Sequence, residues 1–462
     1  MKTKLIFILC TCTFMFGQHK VSYDRFSGSY GLLTNPALIA NSPKKLDIHI
    51  LSNFTTVANT VSDIDYSKII DDLNINSQDV NYLIDNNFTI SSLDTLYQQR
   101  ELKNYLNYFP NYLATTSDKA IVHSTIMGPS FVYAINSRHS IGAFSALKLV
   151  SYFNNFNIDL ITREQKIETL ADLTDFMNNN IKGYGNSFSW YEYGLSYAFV
   201  AYHEYDKMLK FGVSLKQLRG IKYASFNFIE FNNSLSINQE FPKKSTVDVT
   251  GKLILENNNF GSNIGYGVDL GFVFEKNRER NHSFYIAKRN RVFFNYIPYS
   301  YRLAVSLTNI GYLTFNKVKK EENQVHYVFP NQEPDFSEYF KFNSTTKPTK
   351  ETYILPTTLH LNYDHYLGKS VFLNTNLDVR FANASNVDQI YYPSNLSVGL
   401  RFEKRFFTLA TDINYDSLQN LRMESYLRLG SFFVRTSQLL SNFKETFYYD
   451  SISLGIRVPF LN

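Results

Sequence analysis

The sequence predicts an all-β chain: a transmembrane antiparallel β-barrel of about 14 strands, an even number as single-chain bacterial barrels require. It carries an N-terminal plug-like segment and small helical inserts in its loops. Three observations lead there. Past the N-terminus no run of about 18 apolar residues exists, so helices do not span a membrane, yet 16% of residues are aromatic, with 40 Phe and 34 Tyr that must be covered by something. Apolar and polar residues alternate with period two through the second half. Connections between the alternating stretches are short and long by turns, as in outer-membrane barrels. Alternating lipid-facing and lumen-facing residues also explain a mean hydropathy of only −0.24.

Composition excludes other classes. Charged residues are 19% of the chain, too few for a disordered one. The net charge of +5, from 46 Lys and Arg against 41 Asp and Glu, is too small and scattered for a nucleic-acid partner. Both cysteines, Cys10 and Cys12, lie in the first residues, which leaves the processed chain without disulfide, thiolate metal site or cysteine nucleophile.

Residues 1–17 read as a signal peptide: Lys2 and Lys4 precede an apolar stretch from Leu5 to Phe16, and Gly17 suits cleavage. Residues 18–45 form the plug or lead-in segment, and 46–462 the barrel. The first strand is expected at Leu46 to Ala58. Trp190 to Val200, Leu209 to Leu215, Ile264 to Phe274 and Tyr301 to Phe315 are long enough for a tilted crossing of about nine to eleven residues. Tyr191, Tyr193, Tyr197 and Phe199 share one face, as an aromatic girdle needs. Further on, Val371 to Phe381, Leu396 to Phe402, Phe407 to Tyr415, Leu421 to Leu429 and Ile452 to Phe460 each have one apolar face.

Between them, Asn59 to Asp118, Asn154 to Asn186, Gly220 to Ser262 and Asn316 to Glu351 read as long outer connections; Asn136 to His139, His203 to Lys207, Leu367 to Ser370 and Glu403 to Arg405 read as short turns. The basic stretch Lys276 to Pro298 is long where a short turn is expected. Helix-period apolar positions mark inserts near 67–109 and 162–180.

The search for chemistry yields little. The nine histidines form no metal constellation, and His360 and His365, five apart on a strand, take opposite faces. No metal site, cofactor or catalytic residue is expected, although Asp364 and His365 are the one candidate acid and base pair. Gly265, Gly267 and Gly271 alternate along a strand and suit close backbone packing rather than phosphate binding. The same parity turns Arg302, Asp378, Arg380, Arg401, Glu403, Asp412, Arg422, Glu424, Arg428 and Arg457 inward, a mixture of signs expected to form a cross-linked lumen network.

Asn35-Pro36-Ala37 resembles the NPA motif ahead of the first strand of FadL-like outer-membrane barrels and their relatives in the type IX secretion and gliding systems of Bacteroidota. Leu307 to Phe315, Leu429 to Val434 and Leu454 to Phe460 resemble strands of an uncharacterised barrel family of the same group. The resemblance implies an N-terminal segment in or near the lumen and no established activity. Expected partners are outer-membrane lipid and other outer-membrane or periplasmic proteins, in a non-enzymatic scaffold role. The alternative is FadL-like passive transport of a hydrophobic ligand. Arg380, Arg401 and Arg422 are the expected anchors of the plug.

Overall fold

The computed structural model describes residues 24–59 (apart from 25 and 43), 119–154, 183–236 (apart from 205), 246–258, 263–277, 299–329, 340–381 (apart from 346 and 347), 390–437 (apart from 405 and 418–420) and 449–460 (apart from 451). The signal-like residues, both helical inserts, most of the 276–298 connection and the Arg422 side chain lie outside the described residues.

Strand segments follow one another in a single antiparallel sheet: β1 (Leu46–Asn59), β2 (Lys119–Met127), β3 (Ser130–Ala134), β4 (His139–Asn154), β5 (Gly183–His203), β6 (Lys207–Ser236), β7 (Thr246–Asn258), β8 (Asn263–Asn277), β9 (Tyr299–Phe329), β10 (Phe340–Thr345), β11 (Thr349–Ile354), β12 (Thr358–Gly368), β13 (Val371–Arg380), β14 (Asn395–Glu403), β15 (Phe407–Asp416), β16 (Leu421–Leu429), β17 (Phe432–Thr436), β18 (Tyr449–Asp450) and β19 (Ile452–Phe460). Some junctions are interruptions within one wall strand: β2 with β3, β7 with β8, β10 through β12, and β18 with β19. The wall therefore has 14 strands. It closes because β1 pairs with β19 on one side and with β2 and β3 on the other.

Each strand separates two environments, as period-two alternation dictates. On β5, Glu192 and Ser196 are buried inside, while Tyr191, Tyr193, Leu195 and Tyr197 are exposed outside, Leu195 to 70%. On β14 and β15, Leu396, Val398, Leu400, Leu409 and Ile413 form the same outward row, with Arg401, Asp412 and Asn414 within. A soluble sheet would cover that row with a second layer. Here the apolar row lies on the outside of a closed barrel, which is the surface that hydrocarbon solvates.

Turns gather at the end that also holds the start of β1 and the end of β19. Asn136 Oδ1 accepts from the N–H groups of Arg138 and His139, both at 2.8 Å. Between β12 and β13 the chain reverses through Gly368, Lys369 and Ser370, with φ of 113°, 46° and 71°.

The stretches expected to be long connections at 220–262 and 316–351 are instead largely strand. β6 has 30 residues and β9 has 31. Their far ends pair with β7 and β10, from Tyr223 opposite Asn258 to Val247 opposite Phe329. The outward row shows why the pattern hid them: on β6 it passes from Leu215 through Gln217 to Arg219 and Lys222, all exposed. Beyond the apolar belt backbone pairing continues, but nothing selects alternating apolar residues.

Candidate functional site

The lumen is the candidate site, and the N-terminal segment occupies its short-turn end. Two 3-10 turns, Gly28–Leu33 and Pro36–Ile39, lie inside the wall. Pro36 starts the second with its φ already set, and Asn35, extended at φ −151°, caps it by accepting from Ala37 N at 2.9 Å. The seat is a row of three residues on adjacent strands: Gly212 of β6 pairs with Gly271 of β8, which pairs with Ser306 of β9. Asn35 Nδ2 donates to the carbonyls of Phe272 (3.2 Å) and Val305 (3.1 Å), and Ser306 Oγ donates to Thr34 O at 2.6 Å. A Cβ on Gly271 would stand 2.8 Å from Ala37 N, and one on Gly212 2.7 Å from Ala37 Cα. Only glycine lets this segment touch the wall.

Two ionic anchors flank the seat. The Asp24 carboxylate accepts from Arg428 Nε (2.8 Å), Thr408 Oγ1 (2.9 Å) and Phe26 N (2.6 Å). Burial would raise its pKa, but Arg428, Arg401, the Phe26 N–H and Arg457 outweigh burial and hold it well below the ordinary 3.8. Lys44 Nζ donates to Asp47 Oδ2 at 2.8 Å and to Phe26 O at 3.1 Å. Burial, then Arg457, pull this ammonium from 10.5 down to about 7 against the opposing effect of Asp47. Asp47 also accepts from Ser29 N (3.2 Å) and Oγ (3.0 Å), with Arg457 at 3.8 Å. Tyr30 packs its ring among His49, Phe54 and Phe433 and under the Arg457 guanidinium.

The wall above carries two ionic clusters. Arg302 and Arg401 each donate to Asp364 Oδ2 at 2.7 Å; Arg401 Nε reaches Glu403 at 2.8 Å, and Tyr299 OH donates to Asp364 at 2.5 Å. On the other side Lys216 lies between Glu192 (3.0 Å) and Asp269 (2.7 Å), and Lys148 pairs with Glu192 at 2.7 Å. Glu424 pairs with Arg435, and Asp378 with His360, whose other ring nitrogen meets Thr308 Oγ1 at 2.9 Å. Asp412 is buried beside Gly399.

Of the segment's expected anchors, Arg422 has its side chain outside the described residues, and the other two make their close contacts elsewhere. Arg401 is committed to Asp364 and Glu403, and Arg380 lies 5.3 Å from the ring centroid of Tyr392. Direct anchoring falls to Arg428 and Arg457, further along the chain, because the segment packs at the short-turn end, where β16 and β19 present them. Asp24, Lys44 and the Lys216 cluster were missed: the first two lie in a segment without periodicity, which gives no strand signal, whereas Glu192 and Asp269 sit on strands whose parity already turned them inward. Asp364 and His365 also part company: Asp364 is fully buried inside, while His365 stacks on Tyr363 outside. They form no acid and base pair. Among the described residues no cluster of three His, Cys, Asp or Glu could hold a metal.

Toward the opposite end, residues 390–392 ahead of β14 pack into the lumen. Ile390, Tyr391 and Tyr392 are buried; Tyr392 meets His123 of β2 at 4.4 Å and Tyr391 meets Tyr152 of β4 at 4.5 Å, across the barrel from their own strands. Beneath them Phe188, Trp190, Tyr223, Phe315 and Tyr353 pack as one aromatic cluster. Outside, where the β2 to β3 strand is interrupted, a groove of about 880 Å³ crosses the wall, with Pro129, Ala143 and Ser145 beside Phe131, Tyr193, Leu195, Leu215 and Tyr266.

No curated protein matches the sequence. In layout the chain is similar to the toluene transporter TbuX of Ralstonia pickettii, at 9% identity, covering 96% of this chain and 98% of that one with a TM-score of 0.43. It is similar to the monoaromatic hydrocarbon channel TodX, at 8% identity, 94% and 93% coverage and a TM-score of 0.43. A FadL homologue of Pseudomonas aeruginosa aligns at 9% identity over 94% of each chain, with a TM-score of 0.30. At these scores the likeness carries no functional argument. The sequence itself matches a family model over residues 36–436, from the segment seated in the lumen to the end of β17, and the chain belongs to that family of unknown function, DUF5723.

Proposed function

We propose that the protein is a non-enzymatic outer-membrane barrel, exported through its N-terminal signal, that serves as a partner or scaffold in an outer-membrane assembly of the secretion, gliding or barrel-insertion type found in Bacteroidota. The observation that carries this reading is a lumen filled at two levels: residues 26–42 occupy one mouth, and Tyr391 and Tyr392 reach across toward the other. A barrel so filled offers its surfaces rather than its lumen. Outer-membrane lipid covers the belt, and protein partners meet the rim and the strand extension above it. In planar bilayers the purified full chain is expected to give little single-channel activity, and in solution no saturable binding of long-chain fatty acid. Stable conductance steps or stoichiometric ligand would overturn the reading.

The exterior groove favours a second reading, passive FadL-like passage of a hydrophobic small molecule, because an apolar recess where a wall strand is interrupted is a place for such a molecule to leave sideways. Filling it with Ala143→Phe separates the two: uptake falls if the groove conducts, and nothing changes if the barrel is a scaffold.

A further inference from the structure

Lys216 reaches past its neighbouring strand. Its strand partner on β8 is Gly267, whose missing side chain leaves a gap: a Cβ there would come within 3.3 Å of Lys216 Cε. Through that gap the lysine passes over β8 and reaches β9, where Nζ lies 2.8 Å from the Asn309 carboxamide oxygen. Asn309 is held in the left-handed region, φ 58°, where the β8 to β9 register shifts beside Asp269; its N–H donates to Asp269 Oδ1 at 2.7 Å. Glu192 and Asp269, both buried, stand 3.0 Å and 2.7 Å from Nζ. An ion pair needs only the carboxylates. An amine, a carboxamide and two buried carboxylates within hydrogen-bond reach are also the components of an amide exchange.

We propose that Lys216 and Asn309 become joined by an isopeptide bond. Glu192 takes a proton from the Lys216 ammonium as the amine meets the carboxamide carbon, while Asp269 holds the Asn309 N–H. The freed amine attacks Asn309 Cγ, forming the new C–N bond. The carboxylic acid gives that proton to the departing amide nitrogen and takes the second proton from the attacking nitrogen; the old C–N bond breaks, ammonia leaves, and a neutral secondary amide remains beside a protonated carboxyl. Nothing is oxidised, and no further reactant enters. The strained backbone at Asn309 holds the carboxamide at the lysine.

Intact-mass measurement on the full chain purified from membranes tests this directly. The expected mass is lower than that of the processed sequence by one ammonia, and trypsin should release a branched peptide containing both Lys216 and Asn309. Lys216→Arg should remove the deficit and the branch, and Glu192→Gln should slow its appearance at least tenfold. Unbranched Lys216 and Asn309 peptides at full yield, from wild-type protein whose gel mobility still shifts on heating as a folded barrel's does, would overturn the proposal whatever the variants do.

Discussion

Gly212 and Gly271 face each other across the β6 and β8 ladder, and the backbone of Pro36 and Ala37 fills the space their side chains would take. The wall is thus shaped for the segment by what these two residues lack. Gly271→Leu is expected to leave the barrel closed and expel the segment, since overpacking costs about 1–3 kcal/mol and the Asn35 bonds to Phe272 and Val305 are lost with it. Added protease should then cut ahead of Leu46 in the variant and spare the wild type.

Arg428→Ala leaves the Asp24 carboxylate buried without its guanidinium, a loss of about 3–5 kcal/mol for a broken buried pair. Arg428→Lys should recover only part, because one ammonium cannot replace a fork that reaches Asp24, Thr408 and the Lys404 carbonyl together. Denaturant midpoints for release of the segment, compared across the three proteins, give the order wild type, lysine, alanine.

Docking of the segment should strengthen as pH rises, in two separate windows. Asp24 is held below 3.8, so its contribution is complete above that value and disappears as pH falls below it. Lys44 is held at about 7 against 10.5 when released, so the seated state gains from pH 7 up to 10.5, where the released lysine still carries its proton and the seated one has lost it. Protease protection of the segment measured at pH 3, 6 and 9 should increase in that order, and Lys44→Met should flatten the upper step.

On the outside, Leu195→Lys should destabilise the barrel by about 2–4 kcal/mol, the cost of a charge near the middle of the lipid face. Leu195 is 70% exposed, whereas Lys148, on the adjoining strand β4 but on the inside, is tolerated by pairing with Glu192. Reversible unfolding in lipid vesicles measures the difference; an effect near zero would remove the belt from the bilayer.

Alternation made most of the wall readable, because lipid on one side and a polar lumen on the other leave a two-residue rhythm. Arg457 between Ile456 and Val458 is an example: the arginine is buried and its neighbours are exposed, as the pattern demands. Where lipid ends, the rhythm ends too, which is why the outer parts of β6 and β9 read as loops. The candidate site was half legible. Asn35-Pro36-Ala37 stood out as a shaped coil, and the inward charges followed from parity. Which charge met which partner depended on how the strands stack across the barrel, and no single-strand pattern holds that information. Gly267 and Gly271 looked alike in sequence; one makes room for Lys216 and the other for Asn35.

The seat of the N-terminal segment also sets an order of assembly. Residues 34–37 are synthesised well before Gly212, Gly271 and Ser306, yet they rest on those three residues and on an enclosed surface. The seam between β1 and β19 joins the earliest strand to the last. Once that seam is sealed the segment can enter only through a mouth, so threading it beforehand is the direct route: the growing sheet curls around its own leader, and closure traps what has already been seated.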